Sequence, residues 1–185
     1  MAAEGLRVIA LARLEVAEHC GRVDHSAVAS GLTFLGLQAM ADPPRKEVAM
    51  AVRRCRMAGI AVKMITGDHV LTAVSIAKRV GLCRGRQPRV VSGREMDDMA
   101  PEQLCEAVLG ADIFARVSPA QKYMIVGALQ RSGEVVAMTG DGVNDAAALA
   151  RADVGIAMGV AGSEVALQAA DVAFLAEDMG RLADA

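Results

Sequence analysis

"VVAMTGDGVNDAAALARADVGIAMG", residues 135–159, decides how this chain is read. A short apolar run leads into Thr139-Gly140-Asp141-Gly142. Asn144 and Asp145 follow, and then an alanine-rich stretch. The run has the length and flanks of a buried strand, and the alanines read as a helix. Gly140 and Gly142 allow a tight turn and close backbone approach. Two carboxylates converging at a strand end make a hard oxygen site suited to Mg²⁺, which keeps waters and shares phosphate oxygens. The plain alternative is that Asn144 or Asp145 caps the helix. Capping accounts for one such side chain, but not for Asp141, Asn144 and Asp145 together.

The lead-in has an echo in "AVKMITGDH", residues 61–69. Thr66-Gly67-Asp68 closes a second apolar run. A hydroxyl and free backbone N–H groups at a helix start can hold a phosphate. Taken alone, Asp68 is as well explained as a helix cap.

Outward from these two stretches, apolar runs alternate with helical patterns. Strands are predicted at 33–37, 60–65, 90–91, 113–115, 135–138, 154–157 and 172–175. A helix starts at Asp42-Pro43-Pro44, with Asp42 as cap and proline in its first turn. It carries Val48, Val52 and Cys55 on one stripe and ends at Gly59. A second helix is capped near Asp68 and ends at Gly81. A polar helical segment covers 101–109. Ser118-Pro119-Ala120-Gln121 is a capping-box start to a helix reaching Gly133. Helices follow at 144–151 and 163–169. Alternation of this kind means a mostly parallel sheet with helices on both faces. Ligands bind such sheets outside the carboxyl ends of the strands, where both Thr-Gly-Asp loops lie. Residues 1–24 read differently: "LRVIALARLEV" fits either a strand or a helix, and "HCGRVDH" a linker.

The bulk numbers narrow the class. A chain of 185 residues suits one domain, with room for an appendage. With a net charge of −2, no basic excess points to nucleic acid, and 2% aromatic residues are too few for a base-stacking platform. The four cysteines and three histidines lack ligand spacing, which argues against a zinc site or disulfide framework and for a reducing setting. No uncharged apolar run reaches the ~18 residues of a membrane helix. The N-terminus lacks a secretory pattern.

Three basic residues need weighing. Lys122 sits in the first turn of its helix, the positive end of the dipole. A solvated surface lysine is the plain reading; a phosphate beside clustered aspartates would give it a partner. Arg45 beside Asp42 could be a solvated neighbour of a helix cap. Arg116, following a strand, could contact a nucleotide or make a surface pair. Sequence physics leaves both open.

"DPPRKEV", "KMITGDH", "ARVSPAQK" and "AMTGDGVNDAAALARADVGIAMG" occur in the order and at roughly the spacing of P-type cation-transporting ATPases. Residues 32–178 resemble the second part of their phosphorylation domain, of haloacid dehalogenase-like fold. "LRVIALARLEV" resembles the end of the nucleotide-binding domain that precedes it. The motifs look more like the calcium and sodium/potassium pump branch than the heavy-metal branch.

The resemblance implies an α/β fold, a three-layer, mostly parallel Rossmann-like sheet lacking the usual first central strand. It implies a remnant at 1–24, a phosphorylation-domain-like unit at 25–178 and a tail at 179–185. It implies Mg²⁺ as cofactor and ATP as substrate. Asp141 would bind Mg²⁺, with Asp145 ordering the region beside it. Asn144 and Lys122 would contact the phosphoryl group and its attacking water. Thr66 and Gly67 would hold phosphoryl oxygens, with Asp68 beside them. Asp42, Arg45 and Arg116 would lie on the nucleotide side or hinge. A phosphoryl group would pass from ATP to an aspartate and then to water, driven by positioning and charge neutralisation.

Two departures stand out. The family's usual proline is replaced by Ala147. The nucleophile is absent, since no aspartate here precedes Lys-Thr and no Asp-x-Asp occurs. The favoured reading is therefore part of an ion-translocating pump that supplies the Mg²⁺ and phosphate half of the site and is inactive alone. The nucleophile strand, nucleotide-binding domain and membrane helices would come in cis or in trans. The parent pump would place this part on the cytoplasmic face of a membrane, and alone it would be soluble. The alternatives are a non-catalytic Mg²⁺/phosphate-binding or pump-docking module, or a haloacid dehalogenase-like phosphatase. Unpaired strand edges predict a rearranged strand order, homodimerisation or poor stability.

Overall fold

The computed structural model describes residues 6–15, 28, 30–40, 43–83, 87–140, 142–158 and 164–174. Two of the singled-out residues, Asp42 and Asp141, lie outside them.

The core is built around one central strand. β3 (Met64–Ile65), β4 (Val90–Ser92) and β5 (Ile113–Ala115) form a parallel sheet with β5 in the middle. Met64 and Val90 both lie level with Ile113, and Ile65 and Val91 with Phe114. Side chains alternate across a strand, and here that splits the core in two. Ile113 and Ala115 pack with Val52 of α1 (Lys46–Met57) and with Ala73 and Ala77 of α2 (Val70–Arg79). Phe114 faces the other way. It joins Met96 of α3 (Gly93–Asp97), Leu104 and Val108 of α4 (Pro101–Gly110), and Ile125 and Leu129 of α5 (Pro119–Arg131). The result is a three-layer arrangement with helices on both faces of the sheet.

A second parallel sheet follows in the order β6 (Ala137–Gly140), β7 (Val154–Met158), β8 (Val172–Phe174). Val126 of α5, Ala148 and Leu149 of α6 (Ala146–Arg151), and Ala166 of α7 (Glu164–Ala169) cover it with Met138. Thus α5 contributes to the core of both sheets. The single sheet expected from the sequence is divided. Among the described residues, β3 and β6 are edge strands of their sheets, and each has a partner on one side only.

β1 (Arg7–Arg13) and β2 (Thr33–Met40) form a separate antiparallel ribbon, with an irregularity between Leu11 and Ala12. Within "LRVIALARLEV", Arg7–Arg13 is therefore a strand rather than a helix. Phe34 and Leu35 point to opposite faces, yet are 64% and 61% exposed, so neither face of the ribbon is buried.

Element boundaries differ from expectation for local reasons. α1 begins at Lys46, past the prolines. Pro43 precedes a proline, which disfavours helical backbone, and Arg45 has an extended ψ of 143°. β3 is shorter than 60–65 because its one partner, β5, is itself short, and the Ile60 N–H is already used by the end of α1. β6 starts two residues later than expected. The Val136 N–H donates to Asp153 Oδ2, and its carbonyl accepts from the Asp153 and Val154 N–H groups. α3 is an addition to the expected elements; Ser92 and Glu95 close a capping box at its start. The helix expected over 144–151 is a 3-10 turn at Val143–Asp145 followed by α6.

Glycine ends α1 as predicted. Gly59 takes φ +80°, its N–H donates to the Arg56 carbonyl, and the Ile60 N–H donates to the Cys55 carbonyl. This left-handed residue is the helix stop that glycine makes without steric cost. Gly81 closes α2 with the same pair of bonds.

Candidate functional site

Two loops at strand ends and one helix start make up the site. Lys122, in the first turn of α5, reaches Asp145 in the turn after β6: Nζ to Oδ1 is 2.6 Å. The side chains are 13% and 12% exposed. The surface-lysine reading is therefore excluded. So is the reading of Asp145 as a helix cap, since α6 has no side-chain cap bond. The Asp145 carboxylate lies directly over Gly140. A Cβ on Gly140 would stand 2.6 Å from Asp145 Cβ and 3.0 Å from Oδ2. Glycine is required there because the Asp145 side chain occupies the space. Asn144 is exposed in the same turn.

The helix start that carries Lys122 is locked from beneath. Gln121 is buried. Its Nε2 donates to the Gly93 carbonyl (2.8 Å) and to Asp97 Oδ1 (2.7 Å), and its Oε1 accepts from the Ser118 N–H (2.9 Å). The sequence revealed Gln121 as part of a capping box. It gave no sign that the same amide also ties α5 to α3.

The loop after β3 is folded on itself. Thr66 Oγ1 accepts from the Asp68 N–H (3.0 Å) and donates to Asp68 Oδ2 (3.1 Å). Asp68 does not cap α2. That cap is His69, whose Nδ1 accepts from the Leu71 N–H at 3.2 Å. The sequence reading missed this because histidine is an uncommon cap. The Asp68 carbonyl accepts from the Arg116 N–H (3.0 Å), and the Thr66 carbonyl from the Val117 N–H (3.2 Å). The β3 loop is thereby tied to the segment that leads into α5. Gly67 is exposed, with the Val117 carbonyl 3.9 Å from where a Cβ would be.

Arg116 has φ +53°, a left-handed conformation that costs a non-glycine residue free energy. A Cβ on Gly93 would collide with the Arg116 carbonyl oxygen, so the two backbones are in close contact. Arg45 stands at the N-cap of α1, exposed.

Thr66, Gly67, Asp68, Arg116 and Lys122 thus belong to one bonded series, with Asp145 and Gly140 at its other end. Among the described residues, no hydrogen bond links Asp68 directly to Asp145, and no group of three or more His, Cys, Asp or Glu side chains converges as a metal site. Of the two expected metal carboxylates only Asp145 is described, and its Oδ1 is taken by Lys122 while Oδ2 faces Gly140.

Parallel sheets, helices on both faces and a carboxylate turn at a strand end define a class. A family model for haloacid dehalogenase-like hydrolases matches residues 7–153, and the chain belongs to that family. Its relatives within it are P-type cation-transporting ATPases. The chain is 53% identical to the cation-transporting ATPase pma1 of Synechocystis, over 93% of this chain and 19% of that protein. It is 48% identical to the probable cation-transporting ATPase F of Mycobacterium tuberculosis, over 98% and 20%. It is 44% identical to the human calcium-transporting ATPase type 2C member 2, over 100% and 18%. The chain spans about one fifth of the length of these relatives.

Proposed function

We propose that this chain supplies the Mg²⁺- and phosphate-binding half of an aspartyl-phosphate site in an ion-translocating P-type ATPase. The observation that carries the reading is the Lys122–Asp145 pair set over Gly140. It holds a cation at a strand end, beside a turn rich in carboxylates, where a phosphoryl group needs charge neutralisation.

In this reading Lys122 and Asn144 orient the phosphoryl group and its attacking water. Asp145 keeps the Lys122 ammonium in place. Thr66 and Gly67 hold phosphoryl oxygens, and Asp68 fixes the Thr66 hydroxyl. Arg116, Arg45 and Asp42 lie on the nucleotide side. Asp141, with Asp145 next to it, would hold Mg²⁺; oxygen donors of this kind fit a hard cation. When bound, the metal would supply charge neutralisation at the phosphoryl oxygens. ATP is the phosphoryl donor.

The nucleophilic aspartate comes from another strand of the pump, in cis or in trans, and the chain alone is inactive. The open edges of β3 and β6, each running into a Thr-Gly pair, support a strand between them. Residues 1–24 belong to the end of a nucleotide-binding domain, 25–178 to the phosphorylation domain and 179–185 to a tail. β1 then pairs with β2 across the first of these boundaries. Among the described residues no helix is long and apolar enough to cross a membrane. The membrane helices belong to the remainder of the pump, with this part on its cytoplasmic face.

The test is calorimetric titration of the 185-residue chain with Mg²⁺ and beryllium fluoride, a phosphoryl mimic, with Asp141→Ala as control. Saturable binding that the variant loses is expected. A folded chain that binds nothing would overturn the reading.

A further inference from the structure

A second feature of the chain lies away from the two strand-end loops. Between Val48 and Arg94 the sequence carries Arg53, Arg54, Arg56, Lys63, Lys78, Arg79, Arg84, Arg86, Arg89 and Arg94, and a single acid, Asp68. That is ten of the chain's 20 basic residues, in a protein whose net charge is −2. The structure gathers four of them. Ala49, Arg53 and Arg56, one face of α1 at helical spacing, form one wall of a cleft of about 160 Å³. Lys78, Arg79 and Gly81, at the end of α2, form the other. Among the described residues, no carboxylate lines it.

The ordinary explanation is that these cations complement helix C-termini, and part of the charge is used in that way. The Arg56 guanidinium donates to the Gly81 carbonyl at 3.2 Å and to the Leu82 carbonyl at 2.5 Å. The magnitudes do not close on that account. Two helix ends present about half a negative charge each, against four formal positive charges. Among the described residues, Arg53, Lys78 and Arg79 make no side-chain hydrogen bond or ion pair. Several cations lining one cleft raise the local positive potential, which attracts a multivalent anion.

We propose that this cleft is a binding site for a multivalent phosphate anion, separate from the catalytic half-site. Its size admits a few waters' volume at about 30 Å³ each, enough for a phosphate or pyrophosphate group. The guanidinium fork of Arg53 matches two phosphate oxygens. Lys78 and Arg79 supply point charge from the opposite wall. Arg56, bonded to two carbonyls, is the fixed part of the α1 wall.

The experiment is titration of the chain with inorganic pyrophosphate in EDTA, followed by calorimetry and amide NMR. Without divalent metal, the half-site proposed above does not compete for the anion. Saturable 1:1 binding is expected, with the largest amide shifts at the ends of α1 and α2. Arg53→Gln with Arg79→Gln should weaken it about tenfold or more, the scale of lost charge-assisted hydrogen bonds. Lys78→Gln should weaken it by less. These side chains are exposed, so thermal melts of the variants should match the parent. Asn144→Ala, an exposed change in the half-site, should bind as the parent does. Absence of saturable binding would overturn the proposal. So would binding insensitive to the double variant, or binding lost in Asn144→Ala. Tight binding to anionic lipid vesicles that pyrophosphate fails to displace would also overturn it, making this face a membrane contact.

Discussion

The Lys122 ammonium and the Asp145 carboxylate meet at 2.6 Å, and through them the first turn of α5 is bonded to the turn that follows β6. Both are mostly withdrawn from solvent, and each is the other's compensating charge. Removing one partner leaves the second charge partly buried and uncompensated. The full penalty of about 3–5 kcal/mol applies to complete burial. With side chains 13% and 12% exposed, Lys122→Met should cost about 2–3 kcal/mol. Urea unfolding at neutral pH checks this. A loss below about 0.5 kcal/mol, the range of surface changes, would mean that the pair is a loose surface contact. A double variant with Asp145→Leu should recover part of the loss.

Gly140→Ala tests the same turn by sterics. Its Cβ would stand 2.6 Å from Asp145 Cβ and 2.9 Å from Cγ, so Asp145 must shift and its bond to Lys122 must lengthen. Overpacking of this kind costs about 1–3 kcal/mol. The variant should also bind Mg²⁺ and beryllium fluoride more weakly. Parent-like stability and binding together would show that the turn has room.

Gln121 offers a sharper substitution than alanine. Gln121→Glu keeps the shape but turns the Nε2 donor into an acceptor facing the Gly93 carbonyl and Asp97 Oδ1. One buried and one partly buried hydrogen bond become repulsions. A destabilisation of about 2–4 kcal/mol is expected. It should lessen at acid pH, where the introduced carboxyl is protonated and again donates. A pH-independent loss would point to packing rather than hydrogen bonding.

Two carboxylates give stability a defined pH dependence. The backbone N–H of Ser92, and then its hydroxyl, hold Glu95 below its ordinary 4.5. The backbone N–H of Val136, and then the Gln130 amide, hold Asp153 below its ordinary 3.8. In each case the unfolded chain binds the proton more readily. The contribution is complete above the ordinary value and is lost as pH falls through the depressed one. The melting temperature should therefore decline from about pH 5 downward. Glu95→Gln with Asp153→Asn should flatten that decline. An unchanged slope in the double variant would assign acid sensitivity to other groups.

The β1–β2 ribbon predicts association. Phe34, Leu35 and Leu37 are 64%, 61% and 53% exposed on an element that, among the described residues, has two strands and open edges. Exposed apolar strands of this kind recruit other chains. Sedimentation velocity should show a concentration-dependent dimer or larger species. Phe34→Lys with Leu37→Lys should reduce it. A parent chain that stays monomeric up to solubility would contradict the expectation.

Much of this molecule was legible from local chemistry. Gly59 and Gly81 stop helices because a left-handed residue is needed where the chain leaves the helix. Ser118 and Gln121 announce α5 because capping uses side chains three residues apart. Boundaries that depend on a distant partner were not legible. β6 starts late because Asp153 occupies the Val136 backbone. A local competition was missed as well: His69 caps α2 while Asp68 is held by Thr66.

The sequence by itself determined the alternation of strands and helices, the family, and the residue types placed at strand ends. The alternation follows from periodicity along the chain, and the family from the resemblance of its motifs. Only the tertiary structure decided that Lys122 faces Asp145, that Gly140 yields its space to that carboxylate, and that the parallel strands stand as two sheets. Pairing across 23 residues depends on which helix packs on which strand. That is set by the burial of Phe114 on one face of β5 and of Ile113 on the other, and no local pattern encodes it.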